Sequence, residues 1–329
     1  MPLPTRTFCI FLTLLLGGAL GVAAQAQNAT GNGFQTAARG NWQEYAYTYT
    51  NAQNQPQRLS FRLNADDIAL GSAEFRAWDD TAATAAAVQA VQARAKALET
   101  PTLKATVSPL RHGMSIRLTG TNLTAQSPQV KHLNEALHTT YTTSLQSYAT
   151  RSYYRATLEG EHRAVIQPDH PAIARRYVAA MRPVAQAIQQ QVPGASQSPR
   201  AFINAALTWL QSIPYDELEN RYTSNGAGFQ TPYGLINSNV GDCDTKATAL
   251  AALIRAAYPS LPLAIVYVPN HAFLGVGLPQ GPNDFALQTQ HGTYVLADAT
   301  GPGLAPLGYI DRKTQAKTGG RSTEVLPIP

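Results

Sequence analysis

Residues 239–259 read NVGDCDTKATALAALIRAAYP. From 245 to 257 the stretch is apolar on nearly every face except at Lys246 and Arg255, which predicts a helix buried inside a domain. Cys243 then falls in the first turn, with Asp242 as N-cap. The free N–H groups and partial positive charge of a helix N-terminus favour a thiolate over a thiol. Asp242 and Asp244 on either side oppose that shift, so they must point elsewhere or be outweighed by a cation.

Two further segments extend this reading. LPLAIVYVPNHAFLGVGLP (261–279) predicts a strand over 263–268, a break at Pro269-Asn270, and a second strand opened by His271. GTYVLADATGPG (292–303) predicts another strand, ending in Asp298 before a Gly-Pro-Gly loop. A cysteine at a helix start, a histidine on one strand and an acid at the end of the next is what thiol catalysis needs. The imidazole takes the thiol proton, and the carboxylate fixes its tautomer and orientation. Taken singly, each residue has an ordinary structural use: a packed thiol, a half-buried imidazole, a turn cap. Their co-occurrence is what points to chemistry. His291 and Asp284, the nearest rival base and acid, lie in the turn-rich linker QGPNDFALQTQHG.

Through GDCDTKATAL, PNHAFLGV, VLADATGPG and the preceding IPYD, the chain resembles the transglutaminase-like cysteine hydrolase superfamily, relatives of the papain-type enzymes, over about residues 169–311. The resemblance implies Cys243 as nucleophile, His271 as general base and acid, and Asp298 as the orienting acid. It implies an oxyanion hole made by the Cys243 backbone N–H and one donor from the preceding loop, for which Gln230, Tyr233 and Asn237 compete. It also implies a core in which a helix carrying Cys packs on an antiparallel sheet carrying His and Asp.

The N-terminus, MPLPTRTFCIFLTLLLGGALGVAAQAQ, carries a lone Arg6, an apolar run over 8–22 and an Ala24-Gln25-Ala26 cleavage pattern, and reads as a signal peptide. No later segment is long and apolar enough to span a bilayer, so an exported, periplasmic or secreted protein without a membrane anchor is expected. Cleavage removes Cys9 and leaves Cys243 as the lone thiol of the mature chain. The length suits two domains at the usual ~100–200 residues each. The expected organisation is a signal peptide over 1–26, a smaller α+β domain of unassigned role over 27–165 and the transglutaminase-like domain over 166–329.

In the first half, Tyr45, Tyr47 and Tyr49, then Leu59, Phe61 and Leu63, alternate as paired strands do. An Ala-rich helix, two strands around a turn at Arg111-His112-Gly113, a helix from Val130 to about Tyr148 and a strand in YYRATLEG follow. In the second half, the stripe Ile173, Tyr177, Val178, Met181, Val184 and Ile188 predicts an amphipathic helix kinked at Pro183. AFINAALTWLQSI predicts another helix, and residues 219–242, rich in Gly and Asn, predict an irregular loop.

Net charge is +5, but only 14% of residues are charged and the basic ones are scattered. No nucleic-acid module is recognisable and no organic cofactor is implied. There is no metal motif, including the D-x-D-x-D-G calcium loop. The expected partner is a peptide, protein or cell-wall peptide substrate. Acyl transfer to water would make the enzyme a peptidase or amidase, and transfer to an amine a transglutaminase. The alternative is a non-catalytic peptide-binding scaffold that keeps the fold.

Overall fold

The computed structural model describes residues 26–27, 32–110, 113–159, 163–220, 228–320 and 322–329. Residues 1–25, which hold nearly all of the expected signal peptide, lie outside them, as do Arg111 and His112 of the expected turn. The fold is α+β with antiparallel sheets.

Strands β1 (Ala26–Gln27), β2 (Gly33–Arg39), β3 (Trp42–Thr50) and β4 (Pro56–Asn64) form one antiparallel sheet in sequence order. Tyr45 pairs with Phe61 and Tyr47 with Leu59, so the two predicted stripes lie on one buried face. Helix α1 (Ala65–Glu74) follows, capped by the Asn64 side chain. Next come α2 (Asp80–Ala97), β5 (Leu103–Pro109), β6 (Met114–Gly120) and α3 (Pro128–Arg151). This group closes on its own small core of Val88, Val91, Leu103, Val107, Leu133 and Leu137.

The hairpin β7 (Tyr154–Glu159) and β8 (Arg163–Pro168) leads into α4 (His170–Arg176), α5 (Val178–Gln191), α6 (Pro199–Ser212) and α7 (Pro232–Ser238). The chain ends with α8 (Cys243–Ala257), β9 (Leu263–Val268), β10 (His271–Val276), β11 (Ala286–Thr289), β12 (Gly292–Ala297), α9 (Arg312–Lys317) and β13 (Glu324–Ile328). The last five strands make an antiparallel sheet in the order β11-β12-β10-β9-β13. Period-two alternation splits that sheet into two faces. Leu263, Ile265, Leu274 and Val295 face the main core shared with α8, whereas Ala264, Val266, Phe273 and Leu296 form a second cluster with Ile310.

Helix α8 is buried as the sequence predicts, from Thr245 to Ile254 without interruption. Three other expectations change. The cores do not divide at 165/166: Tyr45, Tyr47, Leu59 and Phe61 belong to the same core as α5, α6 and α8, and the separately packed unit is the α2–α3 segment. Trp209 of α6 joins the halves, meeting the rings of Tyr47 and Phe61 edge-on at 5.3 and 5.9 Å. The amphipathic helix breaks at Tyr177, not Pro183. The Tyr177 hydroxyl is anchored on the Gly71 carbonyl and on Glu74, while the carbonyl that Pro183 leaves unpaired, on Ala179, is in an exposed residue that water can serve. Finally, the loop expected over 219–242 contains α7, started by a Thr231 side-chain cap and Pro232.

Trp209→Ala should lower stability by about 3–5 kcal/mol, the usual cost of emptying a buried aromatic site. Urea unfolding followed by the near-ultraviolet signal measures it. A loss confined to the second half would contradict the shared core.

Candidate active site

Asn239, left-handed at φ 52°, closes α7 and turns the chain into Gly241 and Asp242. Asp242 caps α8, its Oδ1 accepting the Thr245 N–H at 3.1 Å, and Cys243 is the first helical residue, half-buried. Its sulfur therefore sits where the helix N–H groups have no partner inside the helix.

His271 opens β10 after a two-residue turn whose Asn270 is also left-handed (φ 62°). Its Nε2 lies 2.8 Å from Asp298 Oδ2, and the ring is near enough to Cys243 for the charges of the two groups to act on each other. With Nε2 engaged, Nδ1 is the atom left for the thiol. Burial alone would lower the His271 pKa, but the Asp298 hydrogen bond, the Cys243 contact and their charges outweigh it and push it up to about 10. Burial would likewise raise Asp298, yet the His271 bond and charge and the Thr300 N–H hold it below the usual carboxylate range.

The Asp298 loop is itself held. Gln211 on α6 donates from Nε2 to the carbonyls of Asp298 and Ala305, at 2.7 and 2.8 Å. Gly301 (φ 65°) passes so close to the Gln211 backbone that an added Cβ would collide with it. Beneath the loop, Lys246 is fully buried and donates to the carbonyls of Ile213 (2.6 Å) and Thr300 (2.7 Å), tying both flanking loops to α8. Beside His271 and Asp298 opens a cleft of about 610 Å³, lined also by Asn270, Gly303, Tyr309 and Lys313. Tyr215, half exposed, stands near enough to Cys243 and Asp242 that their charges, after burial, help push its hydroxyl up to about 12.

The two aspartates beside the thiol are both occupied. Burial together with the Asp244 charge pushes Asp242 above the usual carboxylate range. Asp244 stays ionised: burial opposes this, but His170 of α4 lowers it, its Nε2 being 3.2 Å from Asp244 Oδ2.

Cys243, His271 and Asp298 are thus brought together. The rivals are elsewhere: Asp284 takes both Arg200 guanidinium nitrogens at 3.1 and 2.7 Å, and His291 is exposed in a hairpin turn. Of the three oxyanion candidates, Gln230 has its donor committed elsewhere, whereas Tyr233 and Asn237 are held through groups other than their donors. Gln230 Nε2 donates to Ser238 Oγ and the Val240 carbonyl, Tyr233 packs edge-on against Tyr177, and Asn237 Oδ1 accepts from Tyr45. Sequence reasoning missed His170, Gln211 and Tyr215, and treated Lys246 only as a break in an apolar face. For Lys246 that break was the available signal, because a lone cation on a helix buried all round must find acceptors. Among the described residues no cluster of three or more His, Cys, Asp or Glu is arranged to hold a metal ion, and no helix is long and apolar enough to cross a membrane.

Comparison of the chain with family models, curated proteins and solved structures finds no match.

Proposed function

We propose that the protein is an exported thiol enzyme that cleaves or transfers amide-bonded acyl groups, with Cys243 as nucleophile, His271 as general base and acid, and Asp298 as its orienter. The observation that carries this reading is the His271 ring held between Asp298 and the thiol at the start of a buried helix. The packing of α8 against a sheet bearing both partners also supports a transglutaminase-like core.

The imidazole takes the thiol proton, and the thiolate attacks the amide carbonyl. The resulting oxyanion is met by the Cys243 backbone N–H. The imidazolium then protonates the leaving amine as the C–N bond breaks, leaving a thioester. Water or a second amine, deprotonated by His271, attacks the thioester and returns the free thiol. The cleft beside His271 and Asp298 has room for part of a peptide substrate, whether from a protein or a cell wall.

The test incubates mature protein with casein and a fluorescent primary amine. Amine incorporation that disappears in Cys243→Ala identifies a transferase, and new peptide termini identify a hydrolase. Neither product, with a thiol whose alkylation is the same in His271→Ala, would leave a peptide-binding scaffold.

A further inference from the structure

We propose that His170 is a positioning residue for Cys243: it holds the Asp244 carboxylate against α4, so that a thiolate can form between two aspartates. This role rests on the reading of Cys243 as nucleophile.

A sulfur flanked in sequence by two carboxylates would ionise poorly if both charges faced it. The two oxygens of Asp244 have other partners. Oδ1 accepts the Thr245 N–H at 2.8 Å, and Oδ2 lies 3.2 Å from His170 Nε2. The imidazole is built into place, its side chain 3% exposed and its ring tilted against that of Phe229, with centroids 4.6 Å apart. Its Nδ1 is hydrogen-bonded to the Tyr267 hydroxyl on β9. Burial raises Tyr267 well above its ordinary range, so that hydroxyl keeps its proton.

Nε2 faces the Asp244 carboxylate, and the Tyr267 hydroxyl can serve Nδ1 as donor or as acceptor. When Tyr267 donates to Nδ1, the neutral ring has its proton on Nε2; the imidazolium has both. The Nε2 contact to Asp244 is close in distance but outside hydrogen-bond geometry. The other charged groups around the imidazole are Asp242 on α8, Asp169 capping α4, and the Arg155–Glu324 pair (2.6 Å) from β7 and β13 beside Tyr267. The arrangement gives Cys243 two His–Asp couples with opposite tasks. His271–Asp298 faces the sulfur, and His170–Asp244 takes a charge away from it.

The experiment is the rate of iodoacetamide alkylation of Cys243 against pH in the mature protein, His170→Gln, Asp244→Asn and the double variant. His170→Gln should be about tenfold slower at pH 6, equivalent to about one unit of apparent thiol pKa. Asp244→Asn should be at least as fast as the parent, and adding it to His170→Gln should restore the parental profile. A His170→Gln protein that melts earlier but keeps the parental profile has lost only a structural contact, and overturns the proposal. So does a double variant that stays slow. If His170→Gln does not fold, Asp244→Asn and the double variant decide: equal profiles support action through Asp244 alone, and a slower double variant refutes it. A parental thiol that titrates like free cysteine and ignores His271→Ala removes the nucleophile reading and this inference together. An activated thiol indifferent to His170→Gln removes this inference alone.

Discussion

In His271→Ala, alkylation of Cys243 at pH 6 is expected to be about a hundredfold slower than in the parent protein. A free cysteine with a pKa of ~8.5 is only about 0.3% ionised at that pH. A thiol whose proton has moved to the neighbouring imidazole is mostly ionised, though as a less basic and therefore weaker nucleophile. The net gain is about two powers of ten. His271 can hold that proton because Asp298 and Cys243 overcome the burial that would expel it. Turnover of any amide substrate should fall by about 10²–10⁴, since both the base and the acid are lost. Equal alkylation rates in the two proteins would remove the Cys–His pair, and the proposed chemistry with it.

Lys246→Met is expected to cost about 2–4 kcal/mol in urea unfolding. The substitution keeps most of the aliphatic volume, so little of the loss is packing. It strands the carbonyls of Ile213 and Thr300, which Lys246 now serves at 2.6 and 2.7 Å, at ~1–3 kcal/mol for each buried group left without a partner. Relief of burying the ammonium offsets part of this, for burial lowers Lys246 from 10.5 to about 8 despite the nearby Asp242, Asp298 and Cys243 charges.

The same two residues give a signature in pH. His271 is raised when folded, so its contribution is complete below the unfolded value of ~6.5 and is lost as pH rises through about 10. Lys246 is lowered when folded. Between about 8 and 10.5 the unfolded chain therefore binds more protons, and this group makes stability rise with pH. In the parent protein the two slopes oppose each other from about pH 8 to 10. Lys246→Met should let the decline run on to about pH 10, whereas His271→Ala should make the decline below pH 8 shallower, leaving the part that the raised Asp242 contributes. Identical pH profiles in the parent and both variants would mean that neither group is perturbed by folding.

The residues of the site that were legible in sequence sit at the ends of regular elements. Cys243, His271 and Asp298 each mark the start of a helix or the edge of a strand whose periodicity is plain, and chain order then suggests their meeting. His170 belongs to a helix far upstream, and no local pattern tells that α4 crosses the first turn of α8. Gln211 is hidden for the same reason, as one polar residue on an otherwise apolar helix end. The tyrosine stripe at 45, 47 and 49 announces a buried face but not what buries it. Sequence alone therefore places it in a domain of its own, whereas Trp209 of α6 is its partner. That also changes what truncation would do. Removing the first half of the chain would take away a wall of the main core.

The α2–α3 segment has a different standing. It leaves the main body just after Trp78 and returns just before Tyr154, and the Trp78 ring touches both Tyr148 and Tyr154 edge-on, at 5.4 and 5.3 Å. Departure and return thus share one doorway, and the Val88–Leu137 cluster closes behind it without help from the rest. In evolutionary terms this makes the segment a graft. A lineage could lengthen it, exchange it or drop it by rejoining the chain near Asp79 and Ser152 without disturbing the core around α8. Kin of this protein should differ most in what hangs from that doorway and least in what lies behind it.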